Sequence, residues 1–234
     1  MKESLDVRVI SLGGSIIAPD HVDREFLGGL YAALSAYLEE KATRRLILVC
    51  GGGTLARRYQ EAYRRLAPDP REDDQDWIGI AATRLNAELL KRIFARYCPS
   101  PVVTDPTDIA VFAGRLLAAG GWKPGFSTDY DAVVLADRFS SDTVINLSNI
   151  AKVYTDDPRK NANATAVDRL SWSEYRSMVG GRWVPGANAP FDPVAAGLAA
   201  EKKIAVIVAD GRELANLREI LLGRSFVGTV IGPE

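Results

Sequence analysis

The chain has 234 residues, of which 47% are hydrophobic, enough for one large α/β domain or two lobes sharing a sheet. Its 29 lysines and arginines nearly cancel 30 aspartates and glutamates, which speaks against a nucleic-acid partner, for which a basic excess is expected. Cys50, Cys98 and the single His21 are too few and too scattered for a disulfide framework or zinc site, and neither a membrane-spanning run nor an apolar signal region is visible, so a cytoplasmic protein without a membrane partner is expected.

Taken in order, residues 7–12 read as an apolar strand that runs into Gly13-Gly14-Ser15. Phe26, Leu30, Ala33, Leu34, Tyr37 and Leu38 recur at helical spacing and predict a helix over about 23–40. Residues 45–50 form a near-continuous apolar run, as in a strand buried on both faces of a parallel sheet, and lead into Gly51-Gly52-Gly53-Thr54. A helix over 54–66 follows, then a polar, proline-broken loop over 67–76 and a long helix over 77–97. Short strands are expected at 101–103 and 116–119, a helix at 128–138 and a strand at 143–147. Residues 154–166 are polar and irregular; beyond them come a short helix at 171–179, a loop at 180–190 and a helix at 193–201. A strand at 204–208, a helix at 212–222 and a terminal strand at 226–231 complete the chain. Alternating strands and helices predict an α/β fold with a mainly parallel sheet and helices on both faces, and ligands in such folds sit outside the carboxyl ends of the strands.

Both glycine clusters lie at such ends and open helices, where free N–H groups attract anions. Gly13-Gly14 alone fits an ordinary tight turn. Three consecutive glycines at 51–53 lose much chain entropy on ordering, and Arg57, one turn into the helix, can reach the same anion. Two anion-binding turns in one small chain point to phosphoryl transfer. Neither cluster is a P-loop or a Rossmann fingerprint. A third dense turn, 120–129, ends in Ser127-Thr128-Asp129, where Ser127 or Thr128 can cap the next helix. Asp129 and Asp192 can equally be helix-start residues, and for Asp192, followed by Pro193, that reading is a serious competitor to a catalytic one.

In chain order, Gly13-Gly14-Ser15, Gly51 through Arg58, Asp76 with Arg84 and Asn86, Gly120-Gly121 with Pro124-Gly125 and Ser127-Thr128-Asp129, Tyr154 with Asp157-Pro158, Asp192-Pro193 and Gly228-Thr229 resemble the amino-acid-kinase superfamily, most closely its archaeal-type uridylate (UMP) kinases. The resemblance spans almost the whole chain. It implies a three-layer αβα sandwich, with residues 1–139 as an acceptor half and 140–234 as an ATP half on one continuous sheet. It implies that Gly52, Gly53 and Arg57 grip the UMP phosphate, that Asp76 meets the ribose and that Thr128 and Asp129 line the acceptor site. Gly13 and Gly14 would lie at the transferring phosphoryl group, Asp192 would order the catalytic centre, and Ser148, Tyr154 and Asp157 would meet the adenosine. ATP, UMP and Mg2+ carried with ATP are the implied ligands, without a resident metal site, and a hexamer or dimer is the implied assembly.

The chain departs from that pattern at Ser11, where many superfamily kinases carry lysine, at Trp122, where the family has threonine, and at Ala151-Lys152, which stand for Asp-Gly beside the expected ATP site. Lysine in place of a glycine at positive φ is expected to be strained. Lys152 is then either a phosphate ligand or a surface bystander. A non-catalytic nucleotide-binding, oxyanion-storage or sensor protein on the same fold is the alternative function.

Overall fold

The computed structural model of the protein describes residues 5–109, 111–156, 161, 163–179 and 189–233. The first half runs β1 (Asp6–Leu12), α1 (Gly14–Ile17), α2 (Arg24–Glu40), β2 (Arg44–Cys50), α3 (Gly53–Leu66), α4 (Glu72–Ile93), β3 (Leu116–Ala119) and α5 (Thr128–Arg138). The second runs β4 (Thr143–Ser148), β5 (Val153–Tyr154), β6 (Ala166–Val167), β7 (Arg169–Ser171), α6 (Trp172–Val179), α7 (Pro193–Lys202), β8 (Ala205–Asp210), α8 (Leu214–Leu221) and β9 (Thr229–Gly232).

Seven strands form one sheet in the order β3-β2-β1-β4-β8-β9-β7, parallel throughout except where β9 runs antiparallel to β8. Alternate side chains of the central strands feed two cores, as the pleat requires. Ile10, Leu12, Leu46 and Leu48 pack with α2, α4 and α8, whereas Val9, Ile47 and Val49 pack with α5, α6 and α7. The result is the three-layer αβα sandwich. The register pairs Leu12 with Cys50 and with Leu147, Val49 with Ala119, and Ser148 with Asp210. Every turn that carries a glycine motif therefore leaves the sheet at the same edge.

Several boundaries differ from the sequence reading. The long helix begins at Glu72, not Trp77, because Glu72, Asp73 and Asp74 fill its first turn, where carboxylates favour a helix N-terminus. Residues 101–103 contribute only an isolated bridge from Val103 to Ala119, since Pro99 and Pro101 withhold ladder N–H groups. The helix after the first glycine cluster is a single turn. β5 and β6, at the two ends of the polar stretch, pair antiparallel. The C-terminal helix starts two residues later than expected, at Leu214, and the last strand spans Thr229–Gly232. Most of the expected 180–190 loop lies outside the described residues.

Candidate functional site

The two glycine turns touch each other. Gly13 N–H donates to Leu147 O and Gly51 N–H to Leu12 O, each at 2.9 Å, so the turns leave adjacent strands side by side. A Cβ on Gly14 would lie 2.5 Å from the Gly52 carbonyl carbon and nearer still to Gly53 N and Gly51 O. Gly53 adopts φ 61°, and a Cβ there would run into the Gly14 backbone. The sequence reading gave these glycines the task of admitting a ligand; the structure adds that they must first admit one another. From α4, the Asn86 side-chain amide donates to Gly51 O at 2.8 Å and fixes the second turn. Gly52 stands at the N-terminus of α3 with no side-chain cap, so its helix amides are not consumed by a capping group. The exposed Arg57 reaches back to Thr54 Oγ1 at 3.0 Å, which leaves its guanidinium beside that helix start.

Helix α4 joins this turn to the third loop. A Cβ on Gly52 would meet Gly79 O and the Thr83 methyl; one on Gly121 would meet Thr83 Oγ1 and Ile80. Thr83 Oγ1 accepts Gly121 N–H at 2.7 Å, Arg84 donates to Gly121 O at 3.1 Å and Trp122 O at 2.8 Å, and Asp76 accepts Gly125 N–H at 2.8 Å. Helix α4 from Asp76 to Thr83 thus touches two walls, Gly52–Gly53 on one side and the third loop on the other. Trp122 stands on the loop wall against Phe126, ring centroids 5.1 Å apart, with Lys123 Nζ 3.8 Å over its ring.

A third cluster joins β1, α5 and α7. Ser127, not Thr128, caps α5 by accepting Tyr130 N–H. Asp129 is thereby released from capping. One oxygen accepts the Ser11 hydroxyl at 2.9 Å and the other accepts Asp192 N–H at 3.2 Å. Asp192 itself caps α7, one oxygen accepting Val194 and Ala195 N–H at 2.6 and 2.9 Å. The capping alternative is thus real for Asp192 and absent for Asp129. Tyr175 OH donates to Phe191 O and accepts Phe191 N–H, and Asn146 donates to Pro190 O, so the approach to Asp192 is pinned. Ser11, noted in the sequence only as a missing lysine, is what ties β1 to Asp129.

Burial pushes the Asp129 carboxyl up to about 6, against the two hydrogen bonds it accepts and aided by the Asp192 charge. Burial likewise raises Asp131, two residues on, to about 7. Both lie above an unfolded aspartate, so the native state keeps protons that the unfolded chain releases. Their contribution to stability is full below about pH 4 and is lost as pH rises through about 6 and about 7. Urea midpoints should therefore fall between pH 4 and 7.5 for the wild type relative to an Asp129→Asn/Asp131→Asn double variant; parallel curves would refute these raised values.

At the other half of the edge, Ser148 ends β4 with its Oγ buried and without a hydrogen-bond partner among the described residues. Its carbonyl accepts Gly211 N–H at 2.8 Å. Tyr154 pairs with Ala166 across the small sheet, and Val153 N–H is held by Thr229 Oγ1 at 2.9 Å. Lys152 is paired with Asp168 and its backbone is not left-handed, since among described non-glycine residues only Ser140 and Lys203 have positive φ. The expected strain at Lys152 is therefore absent, because its φ lies outside the left-handed region that favours glycine. Asp157 lies outside the described residues. Thr83, Arg84, Asn86, Asp131 and Tyr175 are site-building residues to which the sequence reading gave no role. Asp131 carried a legible signal, because it precedes Leu135 by one turn on the buried face of α5.

An α/β sandwich with paired glycine turns and a buried carboxylate on one sheet edge defines a class of anion-handling folds, and comparison with known proteins narrows it. The profile of the Amino acid kinase family matches residues 6–210. Uridylate kinase of Methanospirillum hungatei is 37% identical over 226 residues, covering 95% of this chain and 93% of that protein. Uridylate kinase of Thermoplasma volcanium is 36% identical over 235 residues, covering 99% and 98%. The crystal structure of uridylate kinase from Archaeoglobus fulgidus superposes with a TM-score of 0.81 at 33% identity over 97% of this chain and 99% of that one. UMP kinase from Bacillus anthracis shares the fold, with a TM-score of 0.77 at 20% identity over 97% and 96% of the two chains. The chain belongs to the amino acid kinase family.

Proposed function

We propose that this protein is a UMP kinase, transferring the γ-phosphoryl group of MgATP to UMP to give UDP and MgADP. The observation that carries this reading is the backbone contact of Gly14 with Gly51–Gly53, which sets two glycine turns side by side at the carboxyl edge of the sheet, where one can serve the acceptor and the other the transferred group. The uridylate kinases to which the chain is similar over nearly its full length support it.

In this reading Gly52, Gly53 and Arg57 hold the UMP phosphate at the start of α3, Asp76 meets the ribose and Thr128 lines the acceptor site. Gly14 presents its backbone amide where phosphoryl charge develops, and Gly13, whose N–H is held by Leu147 O, fixes the turn that places it. Asp129 and Asp192 order that centre by tying β1, α5 and α7 together. Ser148, whose buried hydroxyl has no partner among the described residues, serves the adenosine together with Tyr154 and Asp157. Residues 1–139 thus form the acceptor half and 140–234 the donor half.

Transfer of this kind requires alignment and charge neutralisation and no covalent catalyst. An acceptor phosphate oxygen forms a bond to Pγ as the bond from Pγ to the bridging oxygen of ADP breaks. Amides fixed before the reaction do not have to reorganise during it. Among the described residues no group of three or more His, Cys, Asp or Glu side chains is placed to hold a metal ion. Mg2+ is read as part of the nucleotide substrate, which supplies phosphate oxygens as its ligands. No helix among the described residues is long and apolar enough to cross a membrane; a cytoplasmic location is the proposed one. A homo-oligomer, hexamer or dimer, is the proposed assembly.

ADP release from MgATP should be accelerated by UMP well above CMP, dUMP, AMP or no acceptor. MgATP binding without acceptor-dependent ADP release would replace the kinase with a nucleotide-binding protein. Arg57→Ala should raise KM for UMP about tenfold or more and leave KM for ATP unchanged, since a charge-assisted hydrogen bond contributes roughly 1.5–3 kcal/mol. Unchanged UMP kinetics in initial-rate assays would remove Arg57 from the phosphate site.

A further inference from the structure

Asp131 sits on the core face of α5 with 1% of its surface exposed, among Ala132, Leu135 and Ala136. An apolar residue is the ordinary occupant of such a position. One carboxyl oxygen accepts Trp122 N–H at 3.1 Å; the other is buried and has no partner among the described residues. A buried carboxyl with one oxygen idle costs free energy that the fold does not recover locally. Burial is the main cause of its raised proton affinity, with Asp129 and Asp105 adding to it and the Trp122 N–H and Arg84 opposing it. The helix start does not need this group, because Ser127 already caps α5.

What Asp131 does hold is the third loop. The Trp122 N–H rests on Asp131 and the Trp122 carbonyl on Arg84, so the peptide groups on both sides of this residue are fixed, one from α5 and one from α4. Three residues further, Gly125 N–H rests on Asp76. The bulky ring of Trp122, packed on Phe126 and covered by Lys123, cannot shift without moving the third loop.

We propose that Asp131 is a positioning residue that sets the acceptor wall by holding the Trp122 peptide, so that acceptor affinity, and not the transfer step, depends on its carboxyl. The kinetic consequence rests on the acceptor assignment above; the hold on Trp122 does not.

Two measurements on the full-length protein separate these. Trp122 emission is isolated by subtracting the matching Trp122→Phe protein, and its quenching by acrylamide is compared in wild type, Asp131→Ala and Asp131→Asn. Quenching should rise in the alanine variant and return towards wild type with asparagine, whose side-chain oxygen still accepts the N–H. In initial-rate assays Asp131→Ala should raise KM for UMP about tenfold, the scale of a hydrogen bond to a charged group, with KM for ATP and kcat within about twofold and asparagine restoring most of the loss. Equal quenching in all three proteins overturns the proposal. So does a parallel loss of kcat, both KM values and thermal stability, which is the signature of a merely structural carboxyl. If the wild type phosphorylates no nucleoside monophosphate, the acceptor reading falls and the quenching comparison still decides whether Asp131 holds Trp122.

Discussion

Gly14→Ala is expected to be among the most damaging single-methyl changes available in this protein. The new Cβ would lie 2.5 Å or less from three backbone atoms of Gly51–Gly53, and backbone, unlike a side-chain tip, cannot rotate aside. The two turns must separate, although β1 and β2 are locked in register up to Leu12 and Cys50. Overpacking a rigid contact costs about 3 kcal/mol or more at its upper end. Displacing reacting groups by about 1 Å can cost roughly a hundredfold in rate. Gly53→Ala meets the same Gly14 backbone and adds a left-handed φ, so it should do no better. Gly28→Ala is the control. It lies within α2, where a Cβ meets nothing within 4 Å, and alanine should stabilise the helix by about 0.5–1 kcal/mol. Urea midpoints and kcat/KM for the three variants test this. Wild-type activity in Gly14→Ala would mean that the turns do not need their contact.

Asp129→Asn should separate charge from geometry at the centre. Its amide can turn its oxygen to Asp192 N–H and its NH2 to Ser11 Oγ, so both hydrogen bonds survive with partners of the right sense. Burial has already raised the native carboxyl to about 6, so a neutral side chain at pH 8 should hold stability or improve it. kcat should nevertheless fall by roughly a hundredfold, the scale found when a preorganised electrostatic group is removed. Asp129→Ala is a different experiment. It strands the Ser11 hydroxyl and Asp192 N–H and should destabilise by about 2–4 kcal/mol, from two lost hydrogen bonds to a charged group less the recovered cost of burying it. Asp192→Asn keeps a good N-cap for α7 and should leave the melting temperature nearly unchanged while lowering kcat. Full activity in both asparagine variants would reduce the Asp129–Asp192 pair to scaffolding.

The sheet was legible because short continuous apolar runs such as Leu46–Val49 suit strands covered on both faces, and each was followed by glycine or another helix-starting turn. The start of α4 was obscured because the acidic residues that favour its first turn also make 72–76 resemble a loop. Strands of two residues, as in β5 and β6, carry no period to detect. The contact between Gly14 and Gly53 depends on the β1–β2 register, which a glycine count cannot reveal. Asp131 went without a role because the motif that drew attention to α5 stops at Asp129, yet the helical period placed it on the core face. Lys152 was expected to be strained because family resemblance supplied a glycine conformation that this backbone does not adopt.

The central claim is that one crevice aligns acceptor and donor for direct transfer. It is tested by incubating the protein with UMP and MgATP labelled in the γ-phosphoryl group, then separating the products. The label should appear in UDP, at a rate equal to ADP release and with little in inorganic phosphate. Label found only in inorganic phosphate, or ADP formed at the same rate without UMP, would contradict it.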